Sequence, residues 1–374
     1  MNMECSSDYL PEEMMIQILL RLPVKFLLQF TSVCKSWNSL IKHNAFIKNH
    51  LNLNLTSNKT RNAPLFLLRH VPSDPNVEQY SLHFDNDTFQ ECSKPQLPVK
   101  SFNVCFRIVG SCNGLVLLSD DYLTETNTFI LWNPSIRKFI RLPKPHFPHF
   151  QHYTVYGFGF DSKKNDYKIV QLVYECHSRA GPEVELYSLN SGSWKNITAA
   201  SPKYKISQTM WSQVFVNGSI HWIGFCNNGE GFRNVVLGFN VCEEVFHEIE
   251  LPKDLASEEP NMPISVTGKS LTVQHYDIRH KCWNVWVMRE YGVVKSWTKQ
   301  FTIDFVTPNF QVTRVLGCRE NDEVLLETYE GKKGEIVLHD PKKNTNVFLG
   351  IHTDPGYTCI EYYMESLVLL DRAT

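Results

Sequence analysis

The 374-residue sequence lacks the features that mark several classes of protein. Its eleven cysteines are scattered singly with no Cys-x-x-Cys pair, which is typical of a reduced, intracellular protein. No stretch of about 18 apolar residues occurs, and the N-terminus has no basic segment leading into an apolar core. We therefore expect neither a membrane span nor a signal peptide, and we expect a cytoplasmic location, with the nucleus as a second one.

A strong charge of either sign is also missing, since 37 Lys and Arg face 39 Asp and Glu. That balance excludes general attraction to nucleic acid or to an anionic membrane. Residues 1–61 carry seven Lys or Arg against four Asp or Glu, so the remainder is weakly acidic. Ordinary solubility explains this bias, although an acidic module would also suit a basic partner.

Catalytic motifs are absent as well. There is no Gly-rich phosphate loop, no His-Glu-x-x-His and no Gly-x-Ser-x-Gly. Gly157-Phe-Gly159 lies in a strand-like segment, so it predicts a bend where strands pack closely and not a phosphate loop. The histidines of HFPHFQH (146–152) surround a proline, which opposes the helix needed to direct them at one metal. We therefore expect no enzyme, no cofactor and no metal.

Three short helices are predicted at the N-terminus. The segment LPEEMMIQILLRLP (10–23) predicts a helix that starts near Pro11. Pro23 ends it and can open a second helix, because proline is tolerated in a first turn. Apolar residues at i, i+3 and i+4 then predict a third helix, capped by Thr31 or Ser32.

These helices are more apolar than a module of their size can accommodate. About 40 residues cannot bury so many large side chains by themselves, since small domains bury a small share of their surface. Each such side chain that is buried contributes ~1.5–3 kcal/mol. Two interpretations follow from the pattern: the excess surface binds another protein, or the helices pack on the chain's own second module.

The segments LPEE (10–13), LPVK (22–25) and VCKSW (33–37) resemble the F-box motif. The resemblance implies docking on a Skp-type adaptor, which connects to a cullin and its RING partner. Among the matching residues, Trp37 could also be internal core, and Cys34 is expected to be an inert thiol in apolar surroundings. The residues that the resemblance assigns to the adaptor-binding face are Leu10, Pro11, Ile16, Leu19, Leu22, Pro23, Val24, Leu27, Val33, Cys34 and Trp37.

A repeat of about 52 residues follows a polar helical tail and linker. Turn-type dipeptides before apolar strands recur at Asn62, Asn113, Asn165 and Asn217, and less strictly at Gly268 and Asn321. Asn and Gly tolerate the positive φ of tight turns, so no ligand is needed to explain them. In each repeat two strands flank a polar turn, which predicts hairpins at 80–92, 129–143, 184–197, 236–252, 285–301 and 336–350.

A repeat of this length with about four short strands is typical of a kelch-like β-propeller. Six repeats predict six blades, with seven as the alternative, and a β-sandwich would not explain the constant step. YTCIEYY (357–363) and SLVLL (366–370) predict two final strands that close the first blade. The predicted fold is a small all-α F-box of three helices followed by an all-β propeller. The predicted boundaries are 4–48 for the F-box, 49–61 for the linker and 62–374 for the propeller.

The whole chain resembles plant F-box proteins with an F-box-associated, kelch-like C-terminal region, through motifs such as GSCNGLVLL (110–118) and LWNPSIRKF (131–139). Two shorter stretches, FQECSK (89–94) and YYMESLVLL (362–370), resemble the S-locus F-box group of rosaceous plants. That group implies a role in pollen during self-incompatibility, with secreted ribonucleases of the style as protein targets. Paralogues that act on other targets, including immune receptors, share the same scaffold.

Target-binding residues are expected in loops at one face of the propeller. The less regular loops are 119–127, 144–152, 226–233, 253–263 and 352–357, and the candidate residues in them are His149, Glu230, Arg233 and Tyr357. Three functions stay open: a substrate adaptor of a ubiquitin ligase, a propeller enzyme, and a scaffold without a role in degradation. The segments expected to form inner strands, LVLL, KIVQLV, SIHWIGF and SLTV, are mostly apolar, which disfavours the enzyme.

Overall fold

Four helices form the N-terminal module in the computed structural model. The structure describes residues 11–56, 65–72, 77–97, 99–103, 105–120, 128–147, 152–175, 181–207, 213–227, 229, 231–304, 310–330 and 333–371. The N-terminal helices are α1 Glu12–Leu19, α2 Val24–Phe30, α3 Lys35–Ile41 and α4 Asn44–Thr56. The first three match the predicted helices, and α4 is the expected helical tail, which takes in the first eight residues of the predicted linker.

Prolines set the starts of the first two helices, as predicted. Pro11 and Pro23 occupy the N-cap positions of α1 and α2. The predicted cap of α3 is wrong, because Cys34 rather than Thr31 or Ser32 precedes it. The Sγ atom of Cys34 accepts a hydrogen bond of 3.5 Å from the Trp37 backbone N–H, which satisfies a donor that the helix start leaves free.

The rest of the described chain is arranged in six antiparallel sheets, which confirms the six-bladed propeller. All six predicted hairpins are present, including the less regular one at 80–92. A short helix, α5 Lys253–Ala256, lies between the fourth and fifth sheets. The strands are β1 Leu65–His70, β2 Gln79–Phe84, β3 Glu91–Ser93, β4 Arg107–Cys112, β5 Leu115–Asp120, β6 Thr128–Asn133, β7 Lys138–Arg141, β8 His152–Asp161, β9 Asp166–Glu175, β10 Glu183–Ser188, β11 Ser193–Asn196, β12 Lys205–Ile206, β13 Val214–Val216, β14 Ser219–Asn227, β15 Phe232–Asn240, β16 Val245–Glu250, β17 Ile264–Thr267, β18 Ser270–Asp277, β19 Cys282–Met288, β20 Trp297–Asp304, β21 Gln311–Cys318, β22 Val324–Glu330, β23 Lys333–Asp340, β24 Thr345–Thr353 and β25 Cys359–Tyr363.

The ends of the propeller sequence meet in one blade. β25 pairs antiparallel with β1, with Tyr363 opposite Leu65, so the last strand completes the first sheet as predicted. The second predicted strand, 366–370, is wrong: these residues form an unpaired segment and a turn. Residues 366–370 have the apolar pattern of a strand because their three leucines are buried. The segment packs against side chains of a blade, however, and pairs with no strand.

Left-handed backbone occurs where the repeat predicts tight turns. Asn113, Asn165 and Asn217 have φ of 50°, 50° and 51°, and Gly268 has φ of 61°. At the sixth repeat the positive φ falls on Asp322. These turns each join the first strand of a blade to its second, which explains the constant step of the repeat. Asn62, the first member of the series, lies outside the described residues.

The innermost strands differ from those expected. β25, β4, β8, β13, β17 and β21 neighbour one another in turn and surround the central axis. LVLL, KIVQLV, SIHWIGF and SLTV fall in the second strands of their blades, so their assignment to inner strands is wrong. A second strand has neighbours on both edges and both faces, so it collects the most apolar residues.

Antiparallel order places the connections of the propeller on two rims. The near rim holds the turns after the first and third strands of each blade, and the far rim holds the other connections. Leu19 and Leu27 of the F-box share one hydrophobic cluster with Ile136 and Leu189, which lie in near-rim turns. The helices therefore pack on the near rim, as one of the two sequence interpretations proposed.

Candidate protein-interaction surfaces

The residues assigned to the adaptor-binding face occupy three different environments. Leu19, Val24 and Leu27 are fully buried within the chain's own core. Pro11, Val33 and Cys34 are exposed, and Leu10 lies outside the described residues. The half-buried members are Ile16, Leu22, Pro23 and Trp37. The assignment as a whole stays a prediction, and the exposed and half-buried members are the ones that a partner can reach.

Sequence reasoning missed three exposed apolar side chains. Met14, Ile18 and Phe26 are about half exposed, and Val33 is more exposed still. Met14 and Ile18 lie one turn apart on α1, while Leu19 beside them points into the core. The apolar residues around the whole circumference of this helix signalled an outer face, but the sequence did not show which half of them faces outward.

Trp37 is held by contacts inside the module. Its Nε1–H donates to Met15 Sδ at 3.1 Å, and its ring lies 5.3 Å from that of Phe30. Nearby, buried His50 donates from Nε2 to the Leu22 carbonyl oxygen at 3.0 Å. Burial lowers the pKa of His50, so the ring is neutral. These contacts fix the four helices together and leave the outer apolar face rigid.

Cys34 does not lie in the apolar surroundings expected for it. Its side chain is exposed at the start of α3, with the Ser36 hydroxyl oxygen 3.1 Å from Sγ. The hydrogen bond from Ser36, followed by one from the Trp37 backbone, lowers the pKa of the thiol. The expected apolar surroundings are therefore wrong, and both the exposure and the lowered pKa favour reactivity of this thiol.

All five loops predicted for target binding join strands at the far rim, opposite the F-box. Arg233 is exposed there at the start of β15, with its Nη2 atom 3.9 Å from Glu248 Oε2. Tyr357 is half-buried between β24 and β25. His149 and Glu230 lie outside the described residues. The candidate target residues therefore stay predictions, and of the four the structure places Arg233 and Tyr357 at the far rim.

Phe102 is a far-rim residue that sequence reasoning missed. Its side chain is 76% exposed, although the loop beneath it is tightly held. The buried Asp120 carboxylate accepts hydrogen bonds from the Phe102 backbone N–H at 2.8 Å, from Ser101 at 2.7 Å and from Asn103 at 2.6 Å. An exposed aromatic ring on a preorganised loop loses little entropy on binding, which favours a role as an anchor. No local signal identifies it, because Asp120 lies on another strand.

Side chains pack closely against glycines of the innermost strands β4 and β8. Gln213 reaches from the start of β13 to β4, so that a Cβ at Gly110 would collide with its amide. Gly157 and Gly159 of β8 likewise make room for Trp222 and Phe215, which confirms the predicted crowding. Within the described ranges, no three His, Cys, Asp or Glu side chains are grouped so as to hold a metal ion. His146 is instead paired with buried Glu185 at 2.7 Å.

None of the helices in the described part of the chain is long and apolar enough to span a bilayer.

Two family models match the chain. A model of the F-box domain matches residues 8–49, and one of the F-box associated beta propeller domain matches residues 69–370. The second match covers most of the sequence and agrees with the six sheets and their closure by β25. The chain therefore belongs to the family of proteins that carry an F-box followed by an F-box-associated β-propeller.

Similar proteins occur in Arabidopsis thaliana. An F-box/kelch-repeat protein is 29% identical over 314 residues, which cover 81% of this chain and 83% of that protein. The F-box protein CPR1 is 29% identical over 386 residues, which cover 96% of this chain and 89% of that protein. A further F-box protein is 27% identical over 396 residues, covering 94% and 89%. The similarity thus spans both modules.

Proposed function

We propose that this protein is the non-catalytic, substrate-recruiting subunit of a Skp–cullin–F-box ubiquitin ligase. The observation that carries the proposal is that four apolar side chains, Met14, Ile18, Phe26 and Val33, are exposed on a family-matched F-box. Water-exposed apolar side chains on short, rigid helices favour burial against a partner, here a Skp-type adaptor. The adaptor would connect to a cullin and its RING protein, in the cytosol and also in the nucleus.

The test is coexpression with a Skp-type adaptor. The wild-type chain should copurify with the adaptor in equal amounts, and the double variant Ile18→Glu, Phe26→Glu should lose it. Phe348→Glu is a matched control, because Phe348 on β24 and Phe26 are both 47% exposed. Retained pairing in the double variant, or its loss in the control, would refute the assignment of this face.

The far rim is the surface that we propose for the target. It lies opposite the F-box, and the structure places Phe102, Arg233 and Tyr357 there. Holding a target there raises the local concentration of its lysines near the conjugating enzyme, which needs no catalytic residue in this chain. Replacing Phe102 with Ala should weaken target capture, whereas replacing Phe348 should not.

For the target itself we propose a stylar S-ribonuclease, with expression in pollen and a role in gametophytic self-incompatibility. The support is the likeness of residues 89–94 and 362–370 to the S-locus group and the weakly acidic charge after residue 61. Affinity capture with the full chain from pollen, from style extract and from leaf separates the alternatives. A ribonuclease captured from style supports the proposal, and a leaf immune receptor would assign the chain to a paralogue instead.

A scaffold without a role in degradation is the second candidate. It shares the adaptor-binding face, so it differs only in the fate of the target. The half-life of the captured target, with and without a proteasome inhibitor, decides between them: inhibition lengthens the half-life only for a ligase adaptor.

A further inference from the structure

The chain continues past its last strand in a segment, residues 364–371, that we name the C-terminal strap. It crosses the near rim of the second blade. Buried Asn133 at the end of β6 donates from Nδ2 to the Ser366 carbonyl oxygen at 3.0 Å and to the Val368 carbonyl oxygen at 2.9 Å. Lys138 Nζ donates to the Leu370 carbonyl oxygen at 3.2 Å. The strap is therefore tied to the blade through its own backbone.

The turn of the second blade is shaped to receive this segment. Gly114 has φ of 81°, and a Cβ there would collide with the Ser366 hydroxyl and the Met364 carbonyl. The Tyr363 hydroxyl lies 2.8 Å from Ser135 Oγ and 3.1 Å from Asn133 Oδ1, which pins the residue where the strap begins. Glycine at this position thus serves a close approach as well as the tight turn.

The apolar side chains of the strap pack with those of the F-box. Leu367, Leu369 and Leu370 are buried, and they share one hydrophobic cluster with Leu19 and Leu27 of the F-box. Leu369 has φ of 75°, a left-handed conformation that a leucine adopts only when its surroundings hold it there. The strap therefore joins the blade through hydrogen bonds and the helices through apolar packing.

We propose that the C-terminal strap fixes the orientation of the F-box relative to the propeller, with Asn133 as its positioning residue. A single covalent connection between two modules leaves their relative motion open unless a substantial apolar interface opposes it. The strap supplies a second attachment at the near rim. This inference rests on the proposed function, because a fixed orientation sets which lysines of a target at the far rim reach the conjugating enzyme.

Closure of the propeller does not require the strap. β25 already pairs with β1 over five residues before the strap begins. If the strap served closure alone, its loss would loosen the first blade and leave the angle between modules unchanged. If it positions the F-box, its loss would widen the range of angles while the sheets stay paired. The two roles therefore make different predictions about geometry.

Asn133→Asp is the sharpest substitution, and the chain offers a matched control. Both Asn133 and Asn240 end the third strand of a blade, and their Oδ1 atoms accept backbone hydrogen bonds of 3.1 Å and 3.0 Å, from Ser135 and Cys242 respectively. An aspartate keeps that acceptor in either position. At position 133 the substitution also removes the amide N–H groups that donate to the Ser366 and Val368 carbonyl oxygens. It places a carboxylate against those two oxygens instead. A chain ending at Glu365 is the second variant, since it keeps β25.

The measurement is the distance between spin labels at Lys48 on α4 and Lys343 in the sixth blade, introduced as unnatural amino acids in the full chain bound to a Skp-type adaptor. Wild type and Asn240→Asp should give one narrow distribution. Asn133→Asp and the chain ending at Glu365 should broaden it by roughly twofold or more, as expected for freed modules. The lysines modified when the reconstituted ligase ubiquitinates itself should change in the same two variants.

Narrow, unchanged distributions in both variants would overturn the proposal. Loss of adaptor pairing by the wild-type chain would instead refute the proposed function, so the two failures are distinguishable. Thermal melting followed through the propeller provides the third measurement. A melting loss without a change in distance would assign the strap to blade stability alone.

Discussion

The F-box and the propeller differ in which side chains they expose and which they bury. The N-terminal helical module, residues 11–56, forms about one seventh of the described chain, yet it carries five of the thirteen exposed large hydrophobic side chains. Of the buried polar and charged side chains in the described residues, His50 is the one that belongs to this module. The small module leaves apolar surface in water, whereas the large one buries many polar groups and pairs some of them, such as Lys168 with Asp161.

Size explains the difference. A few short helices enclose too little volume to bury all their apolar residues, so their excess is available to a partner. A six-bladed propeller encloses enough volume to surround ion pairs such as Lys168 with Asp161, which are 2.7 Å apart in the third blade, where Lys168 also donates to the Val241 carbonyl oxygen of the fourth. A small module thus leaves apolar surface that a partner can cover, whereas the propeller surrounds its own ion pairs and presents loops.

The largest effect is expected at the buried ion pair. Lys168 Nζ donates to Asp161 at 2.7 Å and to Glu244 and the Val241 carbonyl at 2.9 Å. Lys168→Met leaves the Asp161 carboxylate buried without its cation, which should destabilise the propeller by about 3–5 kcal/mol. Lys163→Met breaks only the solvent-exposed pair with Glu243 and should cost far less, because water screens that pair. Urea unfolding of the two variants measures both values, and equal losses would contradict the comparison.

Two adjacent residues of α2 test the F-box. Leu27 is 0% exposed, whereas Phe26 faces solvent. Leu27→Ala should destabilise the F-box by about 2–5 kcal/mol through the cavity that it leaves. Phe26→Ala should change stability by less than about 0.5 kcal/mol and yet weaken adaptor binding by more than about 1 kcal/mol. Calorimetric titration with the adaptor and thermal melting separate these effects; the reverse pattern would show that the outer and inner faces are misassigned.

Glu361 on the innermost strand β25 is a partly buried carboxyl, and its contribution to stability depends on pH. Burial raises the pKa of Glu361 to about 8. The neutral form is favoured in the fold, so its contribution to stability is complete below about pH 4.5 and is lost as the pH rises through about 8. Glu361→Gln mimics the neutral acid and should stabilise the protein at pH 9 by ~1–3 kcal/mol, with little effect at pH 5.

Melting temperatures at pH 5 and pH 9 provide the measurement for Glu361→Gln. Exposed Glu330→Gln in the neighbouring blade is the control and should change the melting temperature little at either pH. A gain for Glu361→Gln of the same size at both pH values would show that removing the charge is not its cause.

The smallest effect is expected at Cys34. Cys34→Ser keeps a side-chain acceptor at the helix N-cap and should leave stability nearly unchanged, while Cys34→Ala removes the acceptor and should destabilise the module slightly. Because hydrogen bonds lower the pKa of this exposed thiol, it should react with iodoacetamide before buried Cys112, whose pKa burial raises. Mass spectrometry of briefly alkylated protein shows which of the two cysteines reacts first. Bound adaptor should slow the reaction at Cys34.

Local patterns succeeded where the sequence neighbours of a residue set its conformation. Asn113, Asn165 and Asn217 predicted their turns correctly, because the tolerance of asparagine for positive φ depends on that residue alone. Pro11 and Pro23 set helix starts for the same reason. The hairpins followed from alternating apolar residues around a polar turn. The unpaired state of residues 366–370 did not follow, because a run of apolar residues shows burial without showing its partner.

The sequence by itself determined that this chain has an F-box with excess apolar surface and a six-fold repeat of four strands. These properties depend on periodicity and turn residues, which are local. The tertiary structure alone decided which half of α1 faces outward, which strands surround the axis, and that Asp120 holds Phe102 toward solvent. It also brought Ser366 to Asn133. Such pairings join residues far apart in the chain, and only the packing of whole blades brings them together.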